Sequence, residues 1–261
     1  MGLSNNYNPM DLTGKTVLVT GASSGIGKQT AITISRLGAK VICIARNEEM
    51  LKDTISALAG DGHLYYSLDL SDLAGIEPFI KDVSPTWGGA INGFVHCAGD
   101  TVTRPLQLNK YEKSVNSFSV VYFAFVEIVR CLMKKGRFAD GGSIVAISSA
   151  SATNVHGRSA KVSYSSARAA LECTARCLSS ELSERKIRVN TVQSGLVETE
   201  MSRDYLDTNS ESEIIKEYGT RQFLGFIPPE EIANVFAFLL SDAARHITGA
   251  NILVDGGYLQ G

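Results

Sequence analysis

The chain has 261 residues, a length that suits one large α/β domain able to bury a sizeable core. Its 25 Lys and Arg nearly balance 27 Asp and Glu, so no basic field exists to draw nucleic acid or an anionic membrane. The five cysteines are odd in number and lie mostly in apolar segments, which reads as buried free thiols of a reducing, cytoplasmic protein and not as a disulfide frame.

Residues 1–11 are polar and lack the apolar core of a signal peptide, and no run of about 18 apolar residues is free of charge, so no membrane span is expected. Residues 15–19 form a short β-branched run, the first predicted strand. The stretch Thr20-Gly21-Ala22-Ser23-Ser24-Gly25-Ile26-Gly27 follows, and residues 28–37 then repeat apolar positions at helical spacing. Strand, glycine turn and helix in that order make a phosphate site: glycines let the backbone approach a pyrophosphate, and the helix start offers free N–H groups and a positive dipole end. Ser23 and Ser24 add hydroxyl donors.

A second strand is predicted at 40–45, with Arg46 and Asn47 at its end. A helix at 48–58 leads to a third strand at 63–68, closed by Asp69 and Leu70. A helix at 72–83 precedes a fourth strand at 91–96, which runs into Cys97-Ala98-Gly99. A single long helix is expected at 111–135, a fifth strand at 143–147 before Ser148 and Ser149, and a further helix at 162–185. Cys173 and Cys177 share a face of that helix; with no further ligands nearby they suit core packing better than a metal. A sixth strand at 187–192, a helix at 230–240 and a last strand at 251–254 complete the pattern. Residues 196–226 are irregular and long for a connection, as a substrate lid would be. Its acidic middle, with Asp204, Asp207, Glu211 and Glu213, argues against a polyanionic substrate.

Strands alternating with helices from end to end imply one domain, 1–261, built on a doubly wound parallel sheet of about seven strands with helices on both faces. Such sheets bind ligands beyond the carboxyl ends of their strands, at the switch in strand order. Each segment singled out above ends a strand, so all should converge on one crevice. His96 suits a crevice or core histidine, and His156 and Arg158 suit a solvated loop where substrate could pass.

Tyr164 and Arg168 open the helix after the fifth strand, four residues apart and so on one face. A guanidinium beside a phenol favours the ionised ring, the direction needed for acid–base work near neutral pH. Ser149, at the preceding strand end, can hold a carbonyl oxygen at the same place. At the second strand's end, NAD sites carry a carboxylate for the ribose, whereas an arginine takes a 2′-phosphate. Arg46-Asn47 therefore points to NADP(H), with NAD(H) as the alternative.

From residue 12 to 258 the chain resembles the short-chain dehydrogenase/reductases, and within them the 3-oxoacyl-carrier-protein reductase-like members. The likeness rests on residues 20–27, Asp69, His96-Cys97-Ala98-Gly99, Ser149, Tyr164, Arg188-Val189-Asn190, Ser194-Gly195, Thr199, Ile247-Thr248-Gly249 and Asp255-Gly256-Gly257, in the family's order. It implies a Rossmann-type fold and hydride transfer between a nicotinamide and a carbonyl or alcohol. It implies catalysis by Ser149, Tyr164 and Arg168, and a cofactor site that takes in Gly21, Ser23, Ser24, Gly25, Ile26, Gly27, Arg46, Asn47, Asp69, Leu70, Cys97, Ala98, Gly99, Tyr164, Arg168, Gly195, Val197 and Thr199. No metal is implied. Homodimers or homotetramers are the family's habit, and the apolar helices at 120–133 and 169–182 suit such an interface.

The chain also departs from the family. Arg168 stands for the usual lysine, Ser194 for a proline, and the family's helix asparagine falls at Phe118 when counted from Tyr111. Ser149 lies slightly further from Tyr164 than usual; Ser151 restores the spacing, but Ser149 keeps the strand register. Arginine does not give up its proton, and Phe118 cannot hold water, so turnover would be weakened or the proton would take another route. The alternative reading is a dinucleotide-binding protein with little turnover.

Overall fold

The computed structural model describes residues 8–100, 105–154, 161–200, 202 and 219–260. Its strands are β1 (Thr16–Thr20), β2 (Lys40–Ala45), β3 (Leu64–Ser67), β4 (Ile91–His96), β5 (Phe138–Ser149), β6 (Arg188–Ser194) and β7 (Asn251–Val254). They form one seven-stranded sheet in the order β3-β2-β1-β4-β5-β6-β7, parallel throughout, a Rossmann-like α/β arrangement. The order reverses between β1 and β4, where a ligand crevice is expected.

Helices α1 (Gly25–Arg36), α2 (Glu48–Ser56), α3 (Leu73–Val83), α4 (Tyr111–Phe118), α5 (Ala124–Leu132), α6 (Val162–Glu181) and α7 (Pro229–Leu240) join the strands. The strands are apolar on both sides because helices cover both faces. Leu18, Ile42, Ile44 and Phe94 pack with Ile76 and Ile80 of α3, Phe125 and Ile128 of α5, and Leu171 of α6. Val17, Val19, Val41 and Cys43, one residue out of step along the same strands, pack with Ala31 and Ile34 of α1, Leu51 of α2, and Phe236 of α7. Helix ends follow local chemistry: Asn47 and Asp72 cap α2 and α3 by accepting from the amides of Met50 and Gly75. Pro229 opens α7, where a missing N–H costs nothing.

Three expectations change. The long helix at 111–135 is broken by a π segment, Ser119–Phe123, between α4 and α5. By length and composition Tyr111–Leu132 would pass for a membrane span, yet half of its apolar window is buried inside the protein. Cys173 and Cys177 are exposed on α6, not packed in the core, because the helix turns that side away from the sheet. β5 begins earlier than the apolar run suggests, since Phe138 already pairs with Ile91 before the register shifts.

Surface polar groups on this scaffold are satisfied locally. Glu77, Glu127 and Cys131 come close enough to resemble metal ligands, but Arg130 pairs with both carboxylates and Lys134 with Glu77. The cluster is an ion-pair link between α3 and α5.

Candidate active site

A cavity of about 570 Å³ runs across the carboxyl ends of the strands. The turn between β1 and α1 contributes Gly21, Ser23, Ser24, Gly25, Ile26 and Gly27 to its wall. Gly21 has φ +68°, and a Cβ there would lie 2.8 Å from the amide nitrogen of Ala98. A Cβ on Gly27 would lie 2.1 Å from the carbonyl oxygen of Gly21, so the helix start can nest against the strand only without one. Ser24 occupies the N-cap of α1, yet its side chain makes no capping hydrogen bond, and the first turn of α1 holds no acidic residue. The hydroxyl and the helix amides are thus available to an anion. Gly27→Ala is expected to destabilise the fold by about 1–3 kcal/mol through overpacking. Urea unfolding checks this, and NADPH titration of the variant should show lost binding.

One end of the cavity is formed by Arg46 and Asn47 beyond β2 and by Asp69 and Leu70 beyond β3. Asp69 Oδ1 accepts from the amide and hydroxyl of Ser71 at 2.9 and 2.8 Å. These bonds, with the charge of Arg46, hold its carboxyl below the usual range. Asn47 uses its side-chain oxygen as the cap of α2.

The other end is formed by Cys97, Ala98 and Gly99 beyond β4, Tyr164 and Arg168 of α6, and Gly195, Val197 and Thr199 beyond β6. The Arg168 guanidinium lies 5.2 Å from the centre of the Tyr164 ring, as the helical spacing requires. Its Nη1 donates to the Ile147 carbonyl at 2.6 Å, while its Nε is buried without a protein partner. A Cβ on residue 99 would come within 2.6 Å of Nη2, so Gly99 makes room for the larger cation. Thr199 is steadied by Ser202, whose hydroxyl accepts from the Thr199 amide at 2.8 Å. The segment before it is held by a bridge between Val197 and Ile227 and by Gln222, which accepts from the Leu196 amide at 2.9 Å. The remainder of the expected lid, with His156 and Arg158, lies outside the described residues.

Ser149 ends β5 opposite Ser194, which lines the cavity. Its own oxygen is not in the wall; it lies 3.0 Å from the Ser151 hydroxyl and accepts from the Ser151 amide. Ser148 lines the cavity instead. Phe118 also misses the cavity and packs edge-on against Tyr122, because the turn of α4 that faces inward carries Asn116, the buried Ser117 and then Val120. Asp100, Asn116, Lys161 and Glu200 line the cavity too. Counting along the chain missed them, since they flank the recognised motifs without belonging to them. A polar residue directly after Gly99 was the available signal for Asp100.

His96 is fully buried behind this end. Its Nε2 faces the Val120 carbonyl at 3.2 Å, which can only accept, so Nε2 carries the hydrogen and Nδ1 accepts from the Thr20 hydroxyl at 2.9 Å. The π segment thus presents a carbonyl to the end of β4. Burial, with the charge of Arg168, pushes the ring's pKa down to about 3, whereas Cys97 is pushed up to about 12 by burial and stays a thiol. The neutral ring stabilises the fold fully above the unfolded pKa of about 6.5, and that contribution fades as pH falls toward 3, by up to about 1.4 kcal/mol per pH unit. Denaturant unfolding across this window should show the slope in the wild type and a shallower one in His96→Asn.

A family model described as enoyl-(acyl carrier protein) reductase matches residues 21–259. The 3-oxoacyl-[acyl-carrier-protein] reductase FabG of Escherichia coli (strain K12) is 33% identical over 254 residues, covering 95% of this chain and 98% of the relative. L-xylulose reductase of Caenorhabditis elegans is 31% identical over 252 residues, covering 95% and 97%. Among solved structures, a short-chain dehydrogenase/reductase from Serratia marcescens superposes with a TM-score of 0.86 at 26% identity, covering 96% and 99%. The reading without turnover finds no support in these relatives, which are named for redox reactions.

Proposed function

Because the chain belongs to the short-chain dehydrogenase/reductase family of oxidoreductases, we propose that it transfers hydride between NADP(H) and a carbonyl or secondary alcohol substrate. The observation that carries this reading is the single cavity joining the β1–α1 glycine turn to Tyr164 and Arg168. Its residues fit a dinucleotide: the turn where a Cβ would collide suits the pyrophosphate, Arg46 the 2′-phosphate, and Asp69 and Leu70 the adenine. When bound, the nicotinamide supplies or accepts the hydride at the substrate carbon. Tyr164 donates the proton to the carbonyl oxygen in reduction and takes it back in oxidation. Ser149 turns its hydroxyl from Ser151 to hold that oxygen. Arg168 fixes the Tyr164 ring from one side and directs its charge toward the nicotinamide ribose. Gly195, Val197 and Thr199 shape the nicotinamide pocket, and Cys97, Ala98 and Gly99 form its floor.

A ketone or 3-oxoacyl thioester is the substrate type we favour, by analogy with the relatives' named reactions. We also place the protein in the cytoplasm as a homodimer or homotetramer. Exposed Leu106, Leu108, Tyr111 and Val115 around α4, with Val162 at the start of α6, support an assembly surface. Fluorescence titration with NADPH and NADH, followed by absorbance assays over simple ketones, ketoses and 3-oxoacyl thioesters, tests the function. Binding and consumption of NADPH with a carbonyl partner is expected; failure to bind either cofactor would overturn the reading.

A further inference from the structure

Glu172 lies on α6 one helical turn beyond Arg168, and it is buried. Its carboxylate accepts from neutral donors on three strands: the Ser148 hydroxyl of β5, Gln193 Nε2 of β6 at 2.8 Å and Asn251 Nδ2 of β7 at 3.0 Å. Gln193 also donates to the Thr153 hydroxyl at 2.7 Å, which tethers the turn directly after Ser149. Of these partners only Ser148 borders the cofactor cavity; Glu172 itself does not line it, and its carboxylate is a charge the mechanism above does not use.

A buried carboxylate is costly unless its oxygens are satisfied and its charge is compensated. Hydrogen bonds meet the first need here. Arg168 is the buried opposite charge on the same helix, and it too reaches for β5, through the Ile147 carbonyl. Consecutive residues at the strand end are therefore gripped from α6 by a cation and an anion one turn apart. That grip sets where Ser149 and the Tyr164–Arg168 pair stand relative to one another.

We infer that Glu172 is a positioning residue of the reaction end, fixing the end of β5 beneath Ser149 and offsetting the buried charge of Arg168. Its catalytic consequence rests on the hydride-transfer reading; its electrostatic consequence does not. Among the described residues, the ionisable groups at this end of the cavity are Lys161 just before α6, Arg168 of α6, Cys97 and Asp100 beyond β4, and Glu200 after β6, with His96 buried behind them and Glu172 one turn past Arg168. His96 and Cys97 are neutral, and Asp100 and Glu200 line the open cavity, where water screens them. Loss of the Glu172 charge leaves Arg168 uncompensated and favours the Tyr164 phenolate.

Wild type, Glu172→Gln and Glu172→Asp are compared by ultraviolet difference titration of the cofactor-free protein, with Tyr164→Phe identifying the signal of that phenol. The Gln variant should ionise Tyr164 about half a pH unit or more below wild type, and the Asp variant, which keeps the charge, should restore the midpoint. In steady-state assays the Gln variant should lose roughly tenfold in kcat with NADPH affinity within about threefold, and the alkaline limb of carbonyl reduction should move to lower pH. An unchanged midpoint together with unchanged kcat per NADPH-binding site, even alongside a lower Tm, would reduce Glu172 to a packing role and overturn the inference. Should the Gln variant not fold, Gln193→Leu decides, because Gln193 carries the link from Glu172 to the turn after Ser149 without lining the cavity: a kcat lowered about threefold or more at constant NADPH affinity supports the grip, and an unchanged kcat refutes it. A wild type inert toward every carbonyl would sink the hydride-transfer reading alone, since the phenol titration needs no cofactor.

Discussion

Tyr164→Phe lowers kcat for carbonyl reduction by about 10²–10⁴-fold while NADPH binds as before. The substitution removes one oxygen and nothing else. The ring that Arg168 overlies at 5.2 Å persists, as does the guanidinium bond to the Ile147 carbonyl. Cofactor contacts made by the glycine turn are distant from the phenol and should not register the change. Only the proton for the substrate oxygen is lost, so the defect belongs to kcat, not to cofactor affinity. Absorbance loss of NADPH at saturating substrate measures the first quantity, and fluorescence quenching measures the second. Turnover within tenfold of wild type would mean that another group supplies the proton.

Arg46→Ala raises the Kd for NADPH by about 10–100-fold and leaves NADH within about threefold. Arg46 is exposed at the end of β2 and lines the cavity beside Asp69. Its backbone is fixed by Ser67, whose hydroxyl donates to the Arg46 carbonyl at 2.9 Å, so the side chain projects from a rigid point. Asp69, the neighbouring acid, already spends Oδ1 on Ser71, which leaves the arginine as the stronger determinant of what the ribose carries. A guanidinium is suited to a phosphate fork, and the contact is exposed to salt. The loss should therefore shrink as ionic strength rises. Competition of NADPH against NADH in low and high salt provides the measurement; equal losses for both cofactors would assign Arg46 to structure.

The departures from the family look different once folded. Phe118 appeared to remove a polar group from the proton path, but the side of α4 that meets the cavity carries Asn116, two residues earlier. A count along the chain from Tyr111 fixes a position but not which side of α4 meets the cavity, and two residues stand about 200° apart around a helix. Arg168 appeared merely bulky. Its accommodation depends on Gly99, a residue 69 positions away, and a buried carboxylate that no motif contains lies one turn further along the same helix.

The amino-acid sequence by itself determined the alternation of strands and helices, the parallel sheet, the glycine turn and the pairing of Tyr164 with Arg168. Each of those is local: apolar periodicity, the absence of a Cβ, and a four-residue step along one helix are properties of neighbours in the chain. Only the tertiary structure decided that Cys173 and Cys177 face outward, that Ser148 and not Ser149 forms the cavity wall, that His96 is locked in one tautomer, and that Glu172 gathers donors from three strands. Those depend on which side of an element turns toward which neighbour, and on burial that raises or suppresses a charge. Such facts arise when residues far apart in sequence come to share one low-dielectric space, and no local pattern encodes them.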